Sequence, residues 1–595
     1  MWWKRFFGGG SEPSQPFAET QLGPLREFHQ QGYRVRVDAR TQVLRLDIPD
    51  NDGVGFSMEE PAEAPIYPTL AEMEMDGFVS ASMLAQKAKQ FDDGLYAAVE
   101  LAARDGAGDF AGKSGLIRET AAHLGTLDPG AAASVFLAAA KLGGLGLEPP
   151  APHESGVEKA LSDFEADALR SKPLGFYTWS DDLKAIFRQD KMLQSKLDDP
   201  AGVQALASFL ASNATHRRTY ENYLGFVERL TNPYPPEMSD LRSRLDASAS
   251  PMSRGEEPIF FPPSQSHETE FLKKLGYLDK PLPDGFDLMR EFIAAIRKGK
   301  VELTPRENSG WYDYQTFALE TLAAPDRADE RERLELTSAY RKHLEDLFKG
   351  ILALTRETHV KQLEMLCAGA GFDSTPKIRV QPVLDVEPLA TYYRRRADSY
   401  RFIREALAGF FGAGALDKMR RLTREGPVKT SLARELADIE GLFWGAYSVS
   451  ADQIGLTPDI EASAGGLGSA DANRDFFQNW RQNLKSDADL SRDARMMVPV
   501  FYDIGRRKTK VWVFLGWADR PLQASFAQRP TVEVLDGAGQ AVSGKSYRLE
   551  FGSLERPMAY PVMAEVYVSR LLDRDEFRRH CDLNQTRTKI LENLA

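Results

Sequence analysis

Leu344-Glu-Asp-Leu-Phe348-Lys-Gly-Ile-Leu352-Ala-Leu-Thr355-Arg-Glu-Thr-His359-Val-Lys-Gln-Leu363-Glu-Met-Leu366 is the stretch whose period decides the fold. Phe348, Leu352, Thr355, His359, Leu363 and Leu366 advance by three or four residues, which places them on one face of a 3.6-residue helix. Leu344, Leu347, Ile351 and Leu354 widen the apolar stripe. The helix, read over 331–366, is therefore packed on more than one side, and His359 faces inward.

The same period extends outward in both directions. Leu84, Ala88, Phe91, Leu95, Ala98, Val99 and Ala102 keep it, and a second long helix is read over 389–411. Val203, Leu206, Ala207 and Leu210 follow Asp199-Pro200, an N-cap with proline at the first helical position. Thr304-Pro305-Arg306-Glu307 carries the capping-box pattern and predicts another start. Loops rich in proline or glycine, at 143–152, 232–236, 258–263 and 280–285, separate the helices. No fixed-period repeat is present, which disfavours a regular solenoid.

At the two ends the period becomes two. Tyr33-Arg-Val-Arg-Val37 and Val43-Leu-Arg-Leu-Asp-Ile48 predict a β-hairpin with one buried face. After about 495, Val498 to Ile504 and Val511 to Trp517 form one strand pair, and Thr531 to Leu535 with Tyr547, Leu549 and Phe551 a second. Asp573-x-x-Glu576 caps a closing helix that carries Phe577 and Cys581. The fold class is mainly α: a large irregular multi-helix body with a short N-terminal β-hairpin and a β-rich C-terminal segment. The organisation reads as a flexible leader over 1–20, a hairpin segment over 21–60, a first helical part over 61–300, a long-helix part over 301–495 and the β-rich segment over 496–595.

Composition narrows the function classes. The chain has 595 residues, 42% hydrophobic and 27% charged, so a sizeable core is assured. A single core stops growing near about 250–300 residues, which predicts several units. A net charge of −12 and a pI of 5.4 argue against nucleic acid as partner, because phosphate binding needs a basic face. Two cysteines, Cys367 and Cys581, build neither a disulfide framework nor a cysteine zinc site. The start, Met1-Trp-Trp-Lys-Arg-Phe-Phe7, runs into Gly8-Gly9-Gly10 without the apolar stretch of a signal peptide. No run reaches the length of a transmembrane helix. A cytoplasmic location is the expectation.

Motifs that carry chemistry are few. Ala107-Gly-Asp-Phe-Ala-Gly112-Lys113-Ser114 fits a relaxed phosphate loop, but such a loop follows a strand, and here a helical period leads into it. It is read as a connection between helices, with no nucleotide and no other cofactor. Eight histidines show neither His-Glu-x-x-His nor His-x-His spacing, and no metal site is expected. A Gly-x-Ser-x-Gly elbow is absent, and Ser374-Thr-Pro-Lys377 sits in a proline-bearing loop unsuited to a Ser-x-x-Lys pair. Tyr392-Tyr-Arg-Arg-Arg396 with Arg401 and Arg404 is read as a solvated, salt-bridged face, and Gly465-Gly-Leu-Gly-Ser469 as a flexible loop. The binding candidates are Trp311, Tyr312, Asp313 and Tyr314, with Arg356 and His359 downstream: an aromatic wall with a carboxylate and an imidazole.

Four segments resemble, in order, a family of large bacterial proteins that carries only a domain-of-unknown-function label. They are Tyr177-Thr-Trp-Ser-Asp-Asp-Leu183, Pro281-Leu-Pro-Asp-Gly-Phe-Asp-Leu-Met289, Val386-Glu-Pro388 with Tyr392, and Val566-Tyr567 followed by Asp573-Arg574. The resemblance spans about residue 70 to the C-terminus and implies a mostly helical body, with no established activity or catalytic residues. The functional expectation is a soluble binding or scaffold protein that uses a groove on a helical body, its partner a protein or a small molecule. The alternative is a hydrolase-type enzyme with an acid/base pair assembled from distant segments, Asp313 with His359.

Overall fold

The computed structural model describes the strands Arg34–Val37 and Leu44–Asp47 and most of 65–594. Within the latter, 74–76, 235–239, 246–256, 264–265, 278–285, 333, 360–383, 455, 457, 504, 527–530, 536–540 and 549–553 lie outside the described residues. The described part is 60% helical. Six helices build its centre: α1 (Ala81–Asp105), α2 (Asp181–Leu193), α3 (Ala214–Leu230), α4 (Trp311–Ala323), α5 (Ser338–His359) and α6 (Ala390–Phe411). α1 packs on α2 and α5, and α4 lies against α3, α5 and α6. A single connected cluster of buried side chains runs from Leu70 to Ala559. Among the described residues no helix is long and apolar enough to cross a membrane.

The long-helix reading holds over α5, where Phe348, Leu352, Thr355 and His359 are all buried, but not before Ser338, where Leu334–Leu336 is a strand drawn into pairing with Leu44–Leu46. Leu363 and Leu366 lie outside the described residues. Asp199 caps the Pro200–Ser212 helix by accepting from Gly202 N–H at 3.0 Å. Thr304-Pro305-Arg306-Glu307 starts no helix; 302–310 is loop and turn, and α4 begins only after Gly310. A Cβ on Gly310 would lie 2.2 Å from the Thr231 carbonyl oxygen. That close approach, with Tyr312 N–H donating to Thr231 O at 3.0 Å, sets the helix start instead.

The strands are β1 (Arg34–Val37), β2 (Leu44–Asp47), β3 (Leu334–Leu336), β4 (Leu422–Thr423), β5 (Gly426–Pro427), β6 (Met496–Asp503), β7 (Lys508–Phe526), β8 (Thr531–Leu535), β9 (Ala541–Arg548) and β10 (Leu554–Val568). The N-terminal hairpin does not form. β1 pairs with β8, whereas β2 pairs antiparallel with β7 and parallel with β3. A period of two identifies a half-buried strand but not its neighbour, so each strand can join a different sheet. The two C-terminal strand pairs, β6 with β7 and β8 with β9, form as read. In β7, Trp512 and Phe514 enter the main core, while Val511, Val513 and Leu515 pack on Phe577, Cys581 and Ile590. At Gly516 (φ 132°) the register with β10 shifts and brings Trp517 into the main core.

The arginine-rich face of α6 is salt-bridged as read and half-exposed at Arg394, Arg401 and Arg404, but Arg396 is buried. Tyr392, Tyr393 and Tyr400 are fully buried, and Arg396 lies 3.5 Å from Asp92. Arg395 bonds Glu320 at 3.0 Å and sits over the Phe317 ring, while Arg401 and Arg404 both reach Glu440. Each guanidinium meets a carboxylate from another helix, which offsets the desolvation that alternation of charges in sequence does not foreshadow. The 465–469 run is likewise pinned: Asn473 donates to Gly465 O at 2.7 Å, and Ser469 caps the Ala470–Gln482 helix.

Candidate functional site

α1 is buried along most of its length, yet it carries Gln86, Lys89, Gln90, Asp92 and Asp93 inside the core. A buried helix with this many polar groups must find partners for them. Lys89 bonds Asp93 at 2.5 Å, donates to Thr358 Oγ1 at 2.9 Å and also pairs with Glu357. Arg574, from the C-terminal helix Arg574–Asn584, reaches Glu357 at 3.1 Å and Asp93 at 3.6 Å. On the neighbouring face of α1, Asp92 accepts from Tyr400 OH at 2.7 Å and from Gln315 Nε2 at 2.8 Å. Burial pushes the Asp92 carboxyl up, opposed by Arg396 and these hydrogen bonds.

Further along α1, Tyr96, Val99, Glu100 and Ala103 form one wall of a small cavity, partly open to solvent. Asp190, Lys191 and Gln194 from the end of α2 supply the second wall. Tyr223, Phe226 and Leu230 of α3, with Tyr234, Phe261 and Pro262 from the following loops, supply the third. Thr358 and His359, at the end of α5, complete the lining.

Two polar clusters border this space. In the first, Lys113 bonds Asp190 at 2.6 Å and Tyr223 OH at 2.7 Å, and lies 3.5 Å from Glu100, which also accepts from Tyr177 OH. Burial pulls the Lys113 ammonium down, but Asp190 and Glu100 more than compensate, so its pKa is raised. Burial also drives the Tyr177 and Tyr223 phenols well up, so both remain donors. Lys113 is thus an internal countercharge to Asp190 and Glu100. Helices flank the glycine-bearing turn before it, as its helical lead-in implies.

The second cluster centres on His359, whose Nε2 meets Gln315 Oε1 and whose Nδ1 meets Tyr96 OH. Gln315 gives its amide N–H to Asp92, so its carbonyl faces the imidazole and Nε2 must carry a proton. In the neutral ring Nδ1 then accepts from Tyr96. Tyr96 OH also lies 2.9 Å from the Leu230 carbonyl. Protonation of the ring would reverse the Nδ1 bond and send the phenol proton to Leu230 O. Burial holds the Tyr96 phenol well above its ordinary pKa, so Tyr96 is a donor in both states.

Of the residues read from sequence, Trp311, Tyr312 and His359 come together. Trp311 stacks on Tyr96 with centroids 5.7 Å apart and meets His359 edge-on at 5.2 Å; the Tyr312 ring lies 5.4 Å from His359. Asp313 is held by His267 at 3.1 Å, Asn232 at 2.7 Å and Ser309 at 2.5 Å. The imidazole paired with Asp313 is therefore His267, while His359 is held by Tyr96 and Gln315. Asp313 and His359 lie on different helices, and sequence spacing cannot say which histidine a carboxylate meets. Tyr314 turns to α6 and stacks on Phe402, and Arg356 is buried against Glu268 at 3.0 Å and Val500 O at 3.1 Å. Tyr96, Glu100, Asp190 and Tyr223, which line the cavity, and Gln315, which holds His359, are not among the residues read from sequence. The available signal was on α1, where Asp92, Tyr96 and Glu100 recur every four residues within an otherwise apolar helix.

Among the described residues no three His, Cys, Asp or Glu side chains converge as a metal site requires. No protein-family model, no curated protein and no solved structure matches the chain.

Proposed function

We propose that this chain is a binding protein that takes a small organic ligand into the cavity between α1, α2 and α3. The observation that carries the reading is the composition of one partly open cavity. Tyr96, Tyr223, Phe226, Tyr234 and Phe261 line it together with a short row of polar groups. Apolar walls with a few placed polar groups are the general form of a small-molecule site. Pairing within the wall favours binding over turnover: both ring nitrogens of His359 are engaged, and Lys113 is anchored to Asp190. A hydrolytic reading would have to rest on Tyr96 with His359, since Asp313 is committed to His267.

Thermal-shift screening of a library of small neutral and charged organic compounds tests this, because a ligand that binds only the folded state raises Tm. Val227→Phe would project a ring into the cavity from its half-buried position on α3. Hits should lose their shift in Val227→Phe protein whose circular dichroism is unchanged. Hits that persist undiminished in that variant would place the ligand elsewhere and refute the reading.

A further inference from the structure

We infer that the ligand of this cavity is a small, neutral and largely apolar molecule with a single hydrogen-bonding end, of the class of phenol or a cyclic alcohol; the inference rests on the binding reading above. Most polar groups of the lining are already paired inside the protein. Glu100 accepts from Tyr177 OH and lies 3.5 Å from Lys113, while Asp190 accepts from Lys113 at 2.6 Å. Tyr223 OH accepts from the same ammonium at 2.7 Å. Thr358 Oγ1 accepts from Lys89 at 2.9 Å and lies 3.1 Å from Asp93. Thr231 Oγ1 donates to Val227 O at 2.8 Å, Tyr96 OH lies 2.9 Å from Leu230 O, and His359 is engaged at both nitrogens. A ligand rich in polar groups would leave water and find these donors and acceptors taken, a net loss of hydrogen bonds.

The charges balance as well. Glu100 and Asp190 are matched by Lys113, buried between them, and by Lys191, buried in the same lining. A ligand with net charge would be desolvated there without a free countercharge. What the lining still offers is apolar surface, from Val99, Ala103, Phe226, Val227, Leu230 and Pro262, and two uncommitted groups. Among the described residues, the Gln194 amide and the Tyr234 hydroxyl have no hydrogen-bond partner, and both residues are half-buried. Burial drives the Tyr234 phenol well up, so it stays a donor, and the Gln194 amide both donates and accepts. One hydroxyl on the ligand can meet either group. The cavity is small, which limits the ligand to a single ring.

Titration calorimetry and saturation-transfer NMR with phenol and cyclohexanol test the inference. Sodium benzoate, benzylammonium chloride and myo-inositol serve as anionic, cationic and polyhydroxylated comparators, and toluene as a ring without the polar end. Phenol or cyclohexanol should bind at least about tenfold more tightly than any of the three comparators. Its affinity should fall about three- to tenfold in Gln194→Leu or in Tyr234→Phe, while toluene binds the parent and both variants alike. Phenol and cyclohexanol affinities unchanged in both variants, or lost equally for toluene, would overturn the polar end. Toluene that fails to bind the parent would overturn the apolar contact. Binding of a comparator as tight as that of the neutral rings, and lost in Val227→Phe, would overturn the ligand class and leave the binding reading intact. Failure of all six compounds to bind, or binding that Val227→Phe leaves undiminished, would overturn both.

Discussion

At the scale of single residues, the controlling fact is that a proton has only one place to go. Asp92 fixes the Gln315 amide, the amide fixes the Nε2 proton of His359, and that leaves Nδ1 to Tyr96. A glutamine at 359 cannot span Tyr96 and Gln315 with the same geometry, and one buried polar partner goes unsatisfied. His359→Gln should cost about 1–3 kcal/mol in urea unfolding. An unchanged midpoint would show that the chain is dispensable for stability.

The His267–Asp313 pair gives a pH prediction at the same scale. Burial pulls the His267 imidazole down, but the hydrogen bond and charge of Asp313 outweigh it, so its pKa is raised. For Asp313 burial pushes up and His267, Ser309 and Asn232 pull down further, so its pKa is lowered. A raised histidine pKa stabilises fully below the unfolded value and fades as pH rises through the folded one. A lowered aspartate pKa stabilises above its unfolded value and is lost as pH falls. The pair therefore contributes most between about pH 4 and 6.5. The Tm difference between the parent and His267→Gln should be largest near about pH 5.5 and shrink towards about pH 9. A difference that is flat across that range would contradict the pairing.

At the scale of elements, local signals succeed where nothing tertiary competes. Asp573 and Glu576 form both halves of a capping box on the C-terminal helix. Asp573→Ala should cost about 1 kcal/mol by thermal unfolding. Thr304-Pro305-Arg306-Glu307 has the same pattern and starts no helix, because its loop is drawn onto α3: Arg229 donates to Glu307 O at 3.2 Å and Ser309 O at 3.1 Å. Helix-to-helix approach sets a second limit. A Cβ on Gly445, in the Leu432–Gln453 helix, would lie 2.3 Å from the Asn473 carbonyl oxygen of the Ala470–Gln482 helix. Gly445→Ala, harmless to an isolated helix, should destabilise the protein by about 1–3 kcal/mol in denaturant titration.

At the scale of the molecule, the ends of the chain are bound into its middle. β2 joins β7 and β3, so a strand near the N-terminus pairs with one from the C-terminal segment and one from the body. Arg574 inserts between Glu357 of α5 and Asp93 of α1, beside Lys89. Removing one member of a buried ion cluster leaves the others uncompensated. Arg574→Met should therefore cost about 3–5 kcal/mol in global unfolding. A loss of the C-terminal helix alone, with the body's transition unmoved, would show that the cluster does not couple them.

Sequence alone determined what depends on neighbours a few residues away. The helical period of α5 and α6, the period-two strands after 495, the Asp199 and Asp573 caps and the helical lead-in to Lys113 are all local patterns. They appear in the structure because 3.6 and 2 are properties of the backbone itself. Tertiary structure decided every pairing across long separations: β1 with β8 rather than β2, Asp313 with His267 rather than His359, and Arg396 of α6 with the buried Asp92 rather than water. It also decided the cavity, whose walls are drawn from residues 96 to 359. A side chain's periodicity records that it is buried, whereas its partner is chosen by packing and desolvation once distant segments meet.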